Sequence, residues 1–307
     1  MRYSKDEMEK ILLITHKDCP DGCGCAVVFR AAGGLKENVA YVSAGKGVGQ
    51  FFKKNVDYLK SFDRILVADV APDLESAEKI EKEYDHVTVI DHHKTALDLK
   101  DKDWCMINME KCGTYLLFDY LFDEFDSAEP TIGEGPMKKA ALHNFAVLTN
   151  DRDMWLRQYK KANEMSMLMD FLGRDRYVER ALVDYFAFEW NGHEKELLDI
   201  LAEKKEKYIE AKIQRTIIIE TDDKKKLGYL FVSQHQSDVL NRMLETHDID
   251  AAIGIKLDGG GVISVRSGEN FDASAFCLTH GGGGHAKSAG HSIDNETLKE
   301  ILEVIHP

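Results

Sequence analysis

The chain has 307 residues, of which 44% are hydrophobic and 31% charged, and its formal net charge is -14. That length holds one large or two ordinary domains with ample core. The acidic balance argues against a long nucleic-acid track, which needs a broad basic surface, yet it allows a small anionic substrate met by local cations and bound metal.

No apolar run approaches a membrane span, and the start MRYSKDEMEK has no apolar signal region, so a cytoplasmic protein without a membrane partner is expected. Cys19, Cys23, Cys25, Cys105, Cys112 and Cys277 form no paired CxxC units, which makes a structural zinc site the weaker reading.

In chain order, ILLIT (Ile11 to Thr15) predicts a short buried strand, HKDCPDGCGC a loop, and AVVFRAAGG a helix stopped by Gly33 and Gly34. VAYVS and ILVAD predict further strands at Val39 to Ser43 and Ile65 to Asp69. APDLESAEKIEKEYD reads as a helix capped by Asp73. Val87 to Ile90 is apolar on both faces, as a strand of a buried parallel sheet would be.

From Gly113 onward helical patterning dominates, and Glu164 to Leu198 is expected to stay helical. EKELLDILAEKKEKYIEAKIQR predicts a long solvated connecting helix. Past Arg215 the period changes to strands at RTIIIE, LGYLFVS, DAAIGIKL and GVISVRS, with DGGG a turn between the last two, and helices at SDVLNRMLETH and FDASAFCLTH. The expected fold is α/β. A doubly wound parallel sheet in residues 1–190 is joined by a helix at 191–212 to a smaller α/β domain at 213–307.

Three predicted strand ends carry ligand-type side chains: His16, Asp18 and Asp21; Asp69; and Asp91, His92 and His93. Open parallel sheets collect ligands beyond such ends. The expected metal ligands are His16, Asp18, Asp21, Asp69, His92 and Asp151. Imidazole mixed with carboxylates favours Mn²⁺ over Zn²⁺, with Mg²⁺ or Co²⁺ as substitutes. So many carboxylates can hold two ions about 3.5–4 Å apart, with Asp69 bridging. His93 follows a ligand but points elsewhere, which suits it to contact a phosphate or protonate a leaving oxygen. Asp18 and Asp21 could instead shape a turn around Pro20 and Gly22. Cys19, Cys23 and Cys25 could be soft ligands, although small residues packing the turn are the simpler reading.

THKDCPDGCGC, VADVAPD, VIDHHKTAL and TNDRDMW, followed by GGGGHAKSAG, resemble the ordered motifs of the DHH phosphoesterase superfamily with its associated C-terminal domain. DHHKTALDLKDKDW further resembles the short-oligonucleotide exonuclease, or NrnB-type nanoRNase, branch. The resemblance implies a Mn²⁺-dependent phosphodiesterase acting on short oligonucleotides through a two-metal-activated water. Cyclic-nucleotide phosphodiesterase or 3′-phosphoadenosine-phosphate phosphatase activity is the alternative, and a catalytically silent nucleotide sensor is a weaker one. It assigns the six ligands above to metal and His93 to catalysis, and it admits a homodimer.

The first motif departs from H-x-D-x-D-G, since Pro20 makes it H-x-D-C-P-D-G. In the fourth motif, Asp151 matches the family position, and Asp153 is a rival ligand or a group that orients one.

In the second domain GGGGHAKSAG is expected not to form a packed strand or helix, because its glycines cost too much backbone entropy. Its backbone N–H groups at Gly282, Gly283 and Gly284 suit an anion. His285 suits a phosphate or base, and the strand-end Arg266-Ser267 pair resembles the family's substrate contact.

Overall fold

The computed structural model describes residues 9–17, 19–123, 135–257, 261–294, 296, 297 and 299. The chain divides into two compact units, Met1–Leu198 and Asp199–Pro307. Among the described residues, no helix is long and apolar enough to cross a membrane.

The first unit is built on β1 (Ile11–His16), β2 (Val39–Val42), β3 (Arg64–Ala68), β4 (Val87–Asp91) and β5 (Cys105–Ile107), all parallel, in the order β2-β1-β3-β4-β5. Side chains alternate across the sheet, so each strand feeds two cores. Leu12 and Ile14 of β1 pack with α2 (Gly47–Lys54) and α4 (Leu74–Glu83) through Val48, Phe52, Ala77 and Ile80, while α3 (Val56–Leu59) adds Leu59. On the opposite face α1 (Pro20–Ala31) lies on β1, and α5 (Gly113–Asp123) lies on β3 and β4. Leu13, Leu66 and Ile90, fully buried, each contribute about 1.5–3 kcal/mol by leaving water. Helices on both faces of a parallel sheet make this a doubly wound α/β unit.

The N-cap of α4 is Asp73, which accepts from Ser76 N, as the sequence predicts. α1 starts earlier than expected. Cys19 caps it by accepting from Gly22 N, and Pro20 presets the first helical φ, so Pro20 to Cys25 are helix rather than loop. β5 escapes the sequence reading, because it is short and its Met106 is exposed.

The rest of the unit is helical: α6 (Gly135–Asp153), α7 (Lys160–Leu172) and α8 (Arg174–Asp184). The expected unbroken helix over Glu164 to Leu198 is interrupted. Gly173 at φ +73 ends α7, and Tyr185 at φ +53 ends α8 in the left-handed conformation. The next helix, α9 (Gly192–Ile213), contains the boundary between the units.

The second unit holds a mixed sheet of β6 (Ile217–Glu220), β7 (Lys226–Phe231), β8 (Ala251–Lys256), β9 (Val262–Ser267), β10 (Gly283–His285) and β11 (Ser288–Ser292), ordered β10-β11-β9-β8-β7-β6. Only the β7–β8 pairing is parallel among the described residues. α10 (Gln236–Thr246) buries Val239, Leu240 and Met243, and α11 (Ala273–Leu278) buries Ala273 and Cys277. The turn read at DGGG falls mostly on residues 258–260, outside the described residues.

The glycine-rich run corrects an expectation. Part of it is the edge strand β10, paired with β11 through Gly283 with Gly290 and His285 with Ser288. The glycines are tolerated there because a Cβ on Gly284, at φ +137, would meet Ser288 O at 2.6 Å. Close backbone approach, rather than openness, is what these residues supply.

Candidate metal centre

β1 and β3 are neighbours at the point where the sheet order reverses, since the chain passes from β1 out to β2 and returns on the other side of β1. Loops that part at such a point leave a crevice beyond the carboxyl ends. His16 closes β1, Asp69 follows β3, and Asp91 closes β4 with His92 and His93 behind it.

Asp69 turns the chain sharply at φ +60, a left-handed backbone that aspartate tolerates better than most residues. Its Oδ2 accepts from Cys19 Sγ at 3.1 Å and lies 3.8 Å from His16 Nδ1. Its Oδ1 lies 3.3 Å from His92 Nε2. That same imidazole nitrogen is 3.5 Å from Asp21 Oδ2 and 3.6 Å from Asp153 Oδ2. The two oxygens of a single carboxylate therefore face two separate groups of donors.

Asp21 sits in the first turn of α1, but its carboxylate is held from elsewhere. It accepts from Gly113 N and Thr114 N, both at 2.7 Å, at the start of α5, where helix N–H groups lack partners of their own. Thr114 Oγ1 also donates to Asp21 O. Asn150 in α6 accepts from Cys112 N and so fixes the turn that presents these groups.

Gly113 is packed on Asp69, and a Cβ there would come within 2.6 Å of Asp69 Cβ and 2.8 Å of its Cα. Gly113→Ala should destabilise the protein by about 1–3 kcal/mol through overpacking. Denaturant unfolding of the two proteins checks this, and an unchanged midpoint would show that the contact gives way freely.

The carboxylates oppose one another electrically. Burial, followed by the Asp21 charge, pushes Asp69 well above the usual carboxylate range, and the same two causes raise Asp153. Burial acts on Asp21 too, but His92 and hydrogen bonds from Asp69 and Thr114 outweigh it and hold Asp21 low. Carboxylates crowded in this way are the donor set a divalent cation would neutralise. Oxygen and imidazole donors fit an ion of the Mn²⁺ or Mg²⁺ class.

His93 stands beside this donor set, its ligand atom within 4.8 Å of those of Asp69, Asp91 and His92, but its ring is engaged by Asp91. Its Nδ1 bonds Asp91 Oδ1 at 2.8 Å, and that oxygen also accepts from His92 N at 2.8 Å. Burial works against a charged His93 ring, but the Asp91 carboxylate prevails and lifts it to about 9. Asp91 is held low in return: burial opposes its charge, and His93 outweighs that. The pairing turns Nε2 of His93 away from Asp91. The sequence reading grouped Asp91 with the strand-end ligand types but left it out of the site, although a carboxylate two residues before a proposed catalytic histidine is a signal for a positioning role.

The structure brings His16, Asp21, Asp69 and His92 together with Cys19 and Asp153. Asp18 lies outside the described residues. Asp151 is buried, and its carboxylate accepts from Gln158 N at 2.8 Å and Tyr159 N at 3.3 Å, bracing the chain after α6. Among the described residues it joins no cluster of metal-ligand atoms, whereas Asp153 does. Position along the helix explains the difference: two residues apart on a helix point to different sides.

In the second unit Arg266 donates from Nη2 to Ser237 Oγ at 2.7 Å and from Nη1 to Val265 O at 3.0 Å. Ser267 donates its hydroxyl proton to Ala286 O at 2.8 Å, which ties β9 to the glycine-rich hairpin. Gly282, Gly283, Gly284 and His285 lie in that hairpin, in or beside β10.

No protein-family model matches the chain. Oligoribonuclease NrnB of Bacillus subtilis (strain 168) is 28% identical to it over 307 residues, covering 94% of this chain and 74% of the relative. The solved DHH domain of a member of a family of ribosomal proteins matches 96% of the chain and 85% of its own length, with a TM-score of 0.62 and 13% identity. The chain has the DHH fold. RecJ of Thermus thermophilus, solved in complex with Mn²⁺, matches 96% of the chain with a TM-score of 0.52 and 16% identity, and the chain spans about half of RecJ's length (51%). The resemblance read from the motifs thus holds in sequence toward the NrnB relative and in fold toward the DHH domain.

Proposed function

We propose that this chain is a metal-dependent phosphodiesterase that hydrolyses short oligonucleotides. The observation that carries this reading is Asp69, whose Oδ2 faces His16 and whose Oδ1 faces His92, as a carboxylate shared by two ions would. His16 and Asp69 would hold one ion. Asp69, Asp21, His92 and Asp153 would hold the other. Asp18 keeps the ligand role that the resemblance implies, while Asp151 braces the loop beside Asp153. Bound Mn²⁺, with Mg²⁺ or Co²⁺ as substitutes, supplies charge neutralisation at the phosphate and a lower pKa for the attacking water.

The chain's own groups do the rest. Asp91 holds His93 by Nδ1, so that Nε2 can deliver a proton to the leaving oxygen. Arg266, His285 and the backbone of Gly282 to Gly284 would take a substrate phosphate, and Ser267 would keep their hairpin in place. The name of the Bacillus subtilis relative supports an oligonucleotide substrate. The net charge of -14 supports a short one, because a long strand needs a basic path to follow.

Metal-stripped protein incubated with labelled oligonucleotides, a cyclic nucleotide and 3′-phosphoadenosine phosphate tests the proposal. Chelation should abolish hydrolysis, and Mn²⁺ should restore it better than Ca²⁺. kcat/KM should fall steeply from oligomers of about two to five nucleotides to those of about twenty. Arg266→Ala should raise KM most for the shortest substrates. Full activity in stripped protein would refute metal dependence. Equal rates on long strands would make this a processive exonuclease, and preference for either small nucleotide would reassign the substrate.

A further inference from the structure

We propose that Cys19 is a further metal donor of this centre, giving the side formed by His16 and Asp69 a sulfur ligand and an affinity for thiophilic divalent ions such as Zn²⁺ and Cd²⁺. The inference rests on the metal-binding reading above and adds a donor of different chemistry to it.

Ligand atoms of His16, Cys19 and Asp69 all lie within 4.8 Å of one another. They come from the end of β1, the N-cap of α1 and the residue after β3, three segments that the sheet and the helix hold in place. Ligands of a tetrahedral ion at ordinary Zn–S, Zn–N and Zn–O lengths sit about 3.3–3.8 Å apart. The Cys19 Sγ to Asp69 Oδ2 separation is 3.1 Å, and His16 Nδ1 to the same oxygen is 3.8 Å, both close to that range.

The sulfur is fixed independently of any metal. Gly22 N donates to it at 3.1 Å, because Cys19 occupies the capping position where serine or aspartate is usual. As the metal–sulfur bond forms, the S–H bond breaks, its electron pair stays on sulfur, and the proton now given to Asp69 leaves to solvent. Nothing is oxidised or reduced. The other described cysteines, Cys23, Cys25, Cys105, Cys112 and Cys277, are buried and lie outside the group. Soft thiolate favours Zn²⁺ and Cd²⁺, whereas Mn²⁺ gains little from it. Thiophilic ions should therefore displace Mn²⁺ from this half of the centre.

The test is a Cd²⁺ titration of the full-length protein, wild type and Cys19→Ser, read by the ultraviolet sulfur-to-cadmium charge-transfer band. Serine preserves the helix cap, and Cys19→Ala serves as a second variant should the first not fold. Wild type should develop the band. The variant should lose most of it and bind Cd²⁺ about 100-fold more weakly, while Cys277→Ser keeps both. A band undiminished by loss of Cys19, or absent from wild type, would overturn the proposal. Mn²⁺ binding followed by electron paramagnetic resonance in the same proteins separates the two readings. Mn²⁺ binding without a Cys19-dependent band removes the sulfur donor alone. A Cys19-dependent band without Mn²⁺ binding keeps the sulfur donor and removes the Mn²⁺-dependent enzyme.

Discussion

Asp69→Asn should lower hydrolysis by about 10³-fold or more, the largest loss expected from one substitution. Asparagine tolerates the φ of +60 that position 69 requires, so the backbone should survive the change. What disappears is the negative charge and one of the two oxygens that face separate donor groups. In metal-stripped protein the same substitution should act in the opposite sense and raise stability, since it deletes a buried charge that Asp21 opposes.

The pH dependence follows from the direction of the shift. With its folded pKa raised, Asp69 binds its proton more tightly in the folded chain than in the unfolded one. Its contribution is fully present below the unfolded value of about 3.9 and is lost as pH climbs toward the raised folded value. Asp153 adds in the same sense, and Asp21 and Asp91, both held low, act in the other. Unfolding measured across pH on stripped wild type and variant should show a shallower decline in the variant. Identical curves would mean that Asp69 carries no electrostatic burden.

The two adjacent histidines should fail differently. His92→Ala should lose metal and activity together, because Nε2 of this fully buried ring stands between Asp21, Asp69 and Asp153. His93→Ala should lose about 10²–10⁴ in kcat yet keep its metal, because its ring is tied to Asp91 and its work is proton delivery. Metal content of the purified variants decides the matter. Equal loss of metal in both would end the division of labour.

Much of this was legible in the sequence because strand ends announce themselves. Short β-branched runs terminating in His16, Asp69 and Asp91 predicted both the parallel sheet and the crevice beyond it. What stayed hidden depended on contacts between segments distant in the chain. Asp21 was read as a metal ligand with a turn as the alternative, but its clamping by the first turn of α5, 92 residues further along, could not be read from spacing. That Asp153, and not Asp151, lies in a cluster of ligand-type atoms depends on helix rotation and on the loop to Tyr159, which spacing alone does not reveal. Cys19 was weighed and set aside as packing, because its place at a helix start shows only once α1 is seen to begin at Pro20. The glycine-rich run misled through entropy alone. At an edge, pairing with Gly290 and Ala289 compensates for the freedom lost.

The bend at Asp69 makes the centre a problem of transplantation as well as of ligands. A carboxylate carried on an ordinary strand residue would leave the sheet in a different direction, and glutamate would add a methylene on a backbone it tolerates poorly. Conserving the charge at this position is thus not enough unless the shape is conserved with it. A designer grafting these donors onto another parallel sheet would need to copy the kink after the third strand and the bare glycine that makes room for it. The side chains alone would arrive with the right chemistry pointing the wrong way.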